Sequence, residues 1–186
     1  MVYVGHSKFR WRPMQSILQA IEPVRAQLGR IALVGHGWAA LPAWAAAMHL
    51  ENAYYSDCDY LRKLKIEILK PIPFEAVIDW MSTATFNPVI TRPTFEALRI
   101  VTPRFFETPA ANTFPIFGLD AEYVSEIYGP AGKELVVSSE RGGSTLLNMI
   151  ENPHCYIELI EDIRHHLAGH HTQLIRLAEL IEIIES

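Results

Sequence analysis

Apolar positions recur along this chain with two alternating periods, and they divide it into strands and helices in turn. Val2–Tyr3–Val4 is a short β-rich run stopped by Gly5. From Arg12 to Gly29 the residues Met14, Ile17, Leu18, Ile21, Val24 and Leu28 fall at helical spacing, with Gly29 as the stop. Ile31–Val34 is a continuous apolar strand followed by Gly35-His36-Gly37-Trp38. A strand, a helix of that length and a second buried strand predict a parallel βαβ unit.

The pattern then repeats. Ala53–Tyr55 is expected as a short strand, Asp57–Lys63 as a helical turn or loop, and Ile66–Leu69 as a strand ended by Pro71-Ile72-Pro73. Phe74–Ser82 reads as a helix and Phe86–Ile90 as a strand. Thr102 to Asn112 reads as a helix with Thr102 as N-cap, Pro103 in the first turn and Asn112 as the left-handed stop. Pro109 inside it deletes a backbone hydrogen bond and is expected to kink it. Phe114–Phe117 follows as a buried strand, Leu119–Tyr128 as a helix capped by Asp120, Leu135–Val137 as a last strand and Ser144–Glu151 as a short helix. From Pro153 the chain reads as helical to its end, in two pieces broken near Gly169. This alternation predicts an α/β, doubly wound parallel sheet with helices on both faces. A single domain over 1–186 is expected, with helices of a C-terminal tail over about 153–186.

Composition narrows the classes. With 49% hydrophobic and 20% charged residues in a chain of 186, the protein belongs with ordinary globular domains. A net charge of −5 argues against nucleic acid as a partner. The charge is uneven, however: Lys8, Arg10, Arg12, Arg25 and Arg30 stand against Glu22 alone in the first thirty residues. A local basic cluster in an acidic protein suits a small phosphate-bearing molecule. Cys58 and Cys155 form no metal-ligand or redox spacing, and the N-terminus lacks the apolar core of a signal peptide, so a reduced, cytoplasmic chain is expected. The uncharged stretch from Ile31 to Leu50 has the length of a membrane span. It is interrupted by Gly35, His36, Gly37, Pro42 and His49, and it reads instead as strand, glycine loop and Ala-rich helix, with no transmembrane segment.

In such a sheet, ligands bind outside the carboxyl ends of the strands. That rule selects the loops Gly5–Arg12, Gly35–Trp38, Pro71–Phe74, Thr91–Pro93 and Gly118–Asp120. The first, Gly5-His6-Ser7-Lys8-Phe9-Arg10-Trp11-Arg12, sets a glycine and three cations beside a helix start, as a pyrophosphate requires. The turn at Gly35 allows close backbone approach, either by a ligand or in a tight turn around a core tryptophan. On the Thr102 helix, Arg104, Glu107 and Thr108 share one face, a charged and hydrogen-bonding surface suited to an anionic, hydroxyl-rich ligand. Neither a dinucleotide-binding glycine fingerprint nor a P-loop is present. Asp57-Cys58-Asp59 spells a metal-binding pair but serves equally as a helix cap, and His165, His166, His170 and His171 lack a completing ligand, so no metal is expected. Gly142-Gly143-Ser144 reads as a turn and cap rather than a nucleophile.

The run Arg104-Phe105-Phe106-Glu107-Thr108-Pro109, continuing through Phe117, resembles the donor-site segment of GT-B-fold glycosyltransferases, and in particular the spore-maturation-protein-like branch. The opening Tyr3-Val4-Gly5, the Gly29-Arg30-Ile31 run with its Val34-Gly35-His36-Gly37-Trp38 turn, and the His171-Thr172 tail agree with that family in order and spacing. The resemblance implies a Rossmann-like fold and a C-terminal, donor-binding half that takes a nucleotide-diphosphate sugar as co-substrate without a metal or other cofactor. It places Glu107 on the donor hydroxyls, the loop of Gly5, His6 and Arg10 on the diphosphate, and Pro71–Ile72 beside the nucleobase. Gly35, Arg104 and Thr108 complete the expected donor-binding set, and no catalytic residue is assigned. Where retaining members carry a further glutamate this chain has Arg99, so the stereochemical outcome stays open. The acceptor would be bound by a missing or separate N-terminal domain, without which this chain lacks acceptor contacts. The alternative is a non-catalytic α/β interaction or nucleotide-binding module.

Overall fold

The computed structural model describes residues 1–138 and 140–185. The chain is α/β, with two small parallel sheets and a helical C-terminal tail. Strand β1 (Val2–Val4) pairs with β2 (Ala32–Val34), which pairs with β3 (Glu67–Leu69). Strand β4 (Phe86–Val89) pairs with β5 (Phe114–Phe117). Between β1 and β2 runs helix α1 (Trp11–Ile21). It ends sooner than its apolar periodicity suggests, because Pro23 carries the chain into a short 3-10 turn over Glu22–Val24.

Side chains alternate across the first sheet and each set finds its own core. Tyr3 and Leu33 join Met14, Ile17, Leu18 and Ile21 of α1 on one face. Val2, Val4, Ala32 and Val34 pack on the other, against Val77 and Met81 of a later helix. That opposite helix is α4 (Val77–Ser82), reached after α2 (Ala43–Ala47) and α3 (Cys58–Lys63). The stretch from Ile31 to Leu50 is thus strand, glycine turn and short Ala-rich helix. Among the described residues no helix is long and apolar enough to cross a membrane. Ala53–Tyr55, expected as a strand, is instead the end of a 3-10 turn over Asn52–Tyr54, which sinks Tyr54 against Ala45.

The two sheets meet at β1 and β4, which are neighbours without a hydrogen-bonded ladder. Strand parity gives the reason. The carbonyls of Thr85 and Val89 accept from Phe114 and Gly118, so the odd residues of β4 face β5 and Phe86, Pro88 and Ile90 face β1. Pro88 has no N–H to offer across that edge. The edge of β1 that faces it is set the same way: Met1 and Gly5 bond to β2, so Val2 and Val4 turn toward β4.

Between β4 and β5 lie α5 (Pro93–Ala97), which has too few turns to show a periodicity in sequence, and α6 (Arg104–Ala110). The Thr102 side chain does not cap α6; its carbonyl accepts from Phe105 N–H, and Pro103 C=O accepts from Phe106 and Glu107. Asn112 ends the segment in the left-handed conformation, φ 57°, as its residue type suggests. Pro109 lacks the N–H that would bond to the Phe105 carbonyl one turn back. The buried hydroxyl of Tyr128 donates to that carbonyl instead, at 2.8 Å. Tyr128 closes α7 (Ala121–Tyr128), whose N-terminus is capped by Asp120, accepting from Tyr123 N–H at 3.0 Å. The strand expected over Leu135–Val137 is reduced to one bridge between Val136 and Phe117, after a 3-10 stretch over Pro130–Leu135.

Helix α8 (Gly142–Glu151) leads into the tail, α9 (Pro153–His170) and α10 (Gln173–Glu185). Gly169 remains inside α9, and the break comes at His171 and Thr172. Ile160 and Ile163 seat α9 in the main core, and Arg164 of the same helix donates to Pro109 C=O and Asn112 Oδ1.

Tyr128→Phe should leave the Phe105 carbonyl buried without a donor and lower the unfolding free energy by about 1–3 kcal/mol. In a Pro109→Ala background the restored N–H should take over, so the same substitution should cost less. Urea unfolding of the four chains in a double-mutant cycle measures the difference.

Candidate functional site

A cleft of about 260 Å³ opens at the carboxyl ends of β1 and β4, where the two sheets meet. Gly5, His6 and Arg10 form one wall, Ile90, Thr91 and Phe95 another, and Thr102 to Arg104 with Glu107 close it. Exposed Phe74 stands at its edge. Five of the residues expected from sequence therefore converge here: Gly5, His6, Arg10, Arg104 and Glu107. The remaining four do not line it. Thr108 is fully buried, and its hydroxyl donates to Arg104 C=O at 3.2 Å. Pro71 is exposed, and Ile72 packs on the core that carries Val2 and Val34.

Gly35 acts beneath the cleft rather than in it. Its φ is +143°, and a Cβ there would sit 2.4 Å from the Gly5 carbonyl oxygen. That close approach requires glycine. Around it the Gly35–Trp38 turn holds the first loop: Ser7 N–H donates to His36 C=O at 2.9 Å, and the indole of fully buried Trp38 donates to Gly5 C=O at 2.7 Å.

The charges of the cleft divide into a spent set and an open set. Arg104 donates to Val4 C=O at 2.5 Å and pairs with Glu107 at 3.1 Å, with side chains only 17% and 14% exposed. Its guanidinium also rests against the Met81 sulfur. Arg104 and Glu107 thus hold α6 to the free edge of β1. Helix α6 has only seven residues, and its first N–H groups are already used by Thr102 and Pro103. The anion-binding helix start suggested by sequence is therefore not what gives this cleft its positive character.

Arg10 gives it that character from the lining, with Arg92 next to the lining residue Thr91. Arg10 Nη1 lies 3.0 Å from His6 Nδ1. A guanidinium only donates, so Nδ1 accepts and the imidazole carries its hydrogen on Nε2. The His6 pKa is lowered to about 4, first by burial and then by Arg10, Arg92, Lys8 and His36. Burial pushes the Tyr3 phenol up, against the opposing pull of Arg10, Arg104 and Arg92. Arg92 was not singled out in the sequence; its guanidinium lies 5.3 Å from the centre of the Phe95 ring. Its only sequence signal is its position directly after the β4 strand.

A larger cleft of about 550 Å³ shares the first loop through Phe9, Trp11 and Arg12, and is completed by Gln15, Asn52 and Tyr55. Arg12 of the first loop belongs to this neighbour. The other sequence candidates fall into structural roles. Asp57 caps α3 by accepting from Tyr60 N–H at 2.9 Å, and Asp59 pairs with Arg62 on the surface. His166 stacks on His170, with ring centres 4.3 Å apart. Among the described residues no group of three or more metal-ligating side chains forms. Arg99 pairs with Glu126 and is turned away from the cleft lining. Comparison with known proteins finds no match to any family model, curated protein or solved structure.

His6 should stay neutral in the folded chain down to about pH 4, as followed by imidazole ¹⁵N shifts. The unfolded chain takes up that proton near its ordinary value of 6.5, so between those limits it binds more protons than the folded chain. Stability from this group is therefore present above pH 6.5 and lost as the pH falls toward 4. His6→Gln should flatten that part of the unfolding free-energy profile.

Proposed function

We propose that this chain is the donor-binding domain of a metal-independent glycosyltransferase and takes a nucleotide-diphosphate sugar in the cleft between β1 and β4. In this reading the two sheets are one Rossmann-like sheet in the order β3-β2-β1-β4-β5, interrupted at Pro88. The cleft then lies at the topological switch point, where such folds take their ligands. The observation that carries the reading is the meeting of one wall bearing Arg10 with one carboxylate, Glu107, at that point. The first suits a diphosphate and the second suits sugar or ribose hydroxyls.

Size sets how the donor would lie. A cleft of about 260 Å³ is smaller than most small-molecule sites, so it would hold the diphosphate and part of the sugar. The nucleobase would lie outside, over exposed Phe74 and next to the Pro71–Ile72 backbone. Glu107 keeps one oxygen on Arg104 and would offer the other to hydroxyl groups. The acceptor would be supplied across the cleft mouth by a separate domain. Transfer would break the bond from the sugar to the diphosphate, and positive charge beside the leaving diphosphate would stabilise its departure.

A second reading, a docking module for another protein, is favoured by one observation. Leu174, Leu177, Leu180 and Ile181 of α10 are exposed and share much of that helix's surface. The readings are compatible, since a donor domain needs a partner for its acceptor.

Titration with uridine- and guanosine-diphosphate sugars by calorimetry should show binding to the wild-type chain. Glu107→Gln should weaken the sugar nucleotide by about tenfold, the scale of one hydrogen bond made by a charged group, and should change the free nucleoside diphosphate less. A folded chain that binds none of these donors overturns the reading.

A further inference from the structure

Beside the cleft, in the Thr91–Pro93 loop, lies Arg92, a cation whose Nε has no hydrogen-bond partner among the described residues. Arg92 lies between Thr91 and Phe95, both of which line the cleft, and its guanidinium packs over the Phe95 ring. A ring covers the face of a guanidinium but leaves its N–H groups, which lie in the plane, without an acceptor. Arg92 Nε is buried with no hydrogen-bond partner, and so is Arg10 Nε on the facing loop. Buried polar atoms are nearly always bonded, and an unsatisfied N–H of a charged group is among the costlier exceptions. Arg10 lines the cleft and Arg92 adjoins it, so a ligand seated there would bring an acceptor within reach of both side chains.

The surrounding charges point the same way. Neither Arg10 nor Arg92 has a carboxylate partner among the described residues, and the one carboxylate lining the cleft, Glu107, is engaged by Arg104. Lys8 adds a further positive charge to the same loop, with its ammonium over the Tyr54 ring. Arg10 and Arg92, in the loops after β1 and β4, both lie within electrostatic reach of Tyr3 and His6.

We propose that Arg92 and Arg10 together form the anion seat of the cleft, donating to phosphate oxygens of a diphosphate-bearing ligand, while Arg104 takes no part in binding it. This rests on the reading of the cleft as a diphosphate site, and extends it to a residue outside the expected donor-binding set. A planar fork on each side suits a diphosphate, whose oxygens on adjacent phosphorus atoms accept paired N–H groups. His6 stays neutral beside Arg10. The bound anion would bring negative charge against Arg10, Arg92, Lys8 and His36, the groups that hold the His6 proton affinity down.

The test uses inorganic pyrophosphate and the full chain. Calorimetry should show binding to the wild type, weakened about tenfold or more in Arg92→Gln and in Arg10→Gln, the scale expected for a lost hydrogen bond to a charged group. Arg92→Lys, which keeps the charge but loses the fork, should fall between. If Arg92→Gln fails to fold, ¹⁵N–¹H signals of the two arginine Nε groups in the wild type carry the test. Both should shift on adding pyrophosphate, and the His6 pKa should rise from about 4. Unchanged affinity in Arg92→Gln, an unmoved Arg92 Nε signal, or no pyrophosphate binding by the wild type would each overturn the proposal. Pyrophosphate bound through Arg92 while nucleotide sugars are refused leaves the seat standing and removes the glycosyltransferase reading. Nucleotide sugars bound without any need for Arg92 do the reverse.

Discussion

One missing N–H shapes the functional end of this protein. Pro88 faces β1 across the junction of the two sheets and cannot donate, and no strand takes up the Val4 carbonyl on that edge. Arg104 takes it, reaching from α6 to Val4 at 2.5 Å while pairing with Glu107 in the same helix. A guanidinium with both a carbonyl and a carboxylate partner tolerates its 17% exposure, where an unpaired one would be costly. Because a side chain, rather than a strand, closes the gap, the space between β1 and β4 stays open at its carboxyl end.

The same logic of reassigning a hydrogen bond recurs one helix turn later. Pro109 deprives the Phe105 carbonyl of its donor, and the Tyr128 hydroxyl supplies another from α7. Phe105 stacks on the Tyr128 ring and meets Tyr123 edge-on, so the polar link lies inside an aromatic cluster that also receives Phe117. Arg164 then ties the end of α6 to α9. A helix of seven residues is too short to be stable by itself. Its position is fixed from three sides, by β1, α7 and α9, which is what a residue such as Glu107 needs in order to stand at a fixed place.

The sequence is most legible where a local rule has one strong solution. The strands at Val2–Val4 and Phe114–Phe117, the Asp120 cap and the left-handed Asn112 all follow from short-range chemistry, and tertiary packing agrees with them. Legibility falls where long-range contacts decide. Ala53–Tyr55 has strand-forming residues, yet burial of Tyr54 beside Ala45 curls it into a 3-10 turn. Thr102 is a fair cap by type, but backbone carbonyls reach the helix N–H groups first. Of the nine expected donor-site residues, the five that gather in the cleft sit on the first loop or on α6. Gly35 and Thr108 were chosen for sound chemical reasons, but one carries the loop from below and the other bonds back to its own helix. Arg92 has no periodic or motif signal, since its role depends on Phe95 and on a loop more than eighty residues away.

These roles separate position from charge within one cleft. Arg104 resembles a ligand-binding arginine in sequence, beside a glutamate at helical spacing, but its donors are committed to Val4 and Glu107. A group holding two elements together cannot also release its donors to a ligand without loosening α6 from β1. Arg10 and Arg92 hold no two elements together in this way: Arg10 bonds within its own loop to His6, and the Nε of each has no partner among the described residues. An anion that meets those two Nε groups would gain the interaction without first displacing a protein acceptor from them. That is the electrostatic form of preorganisation, in which a site's donors stand ready for charge before it binds.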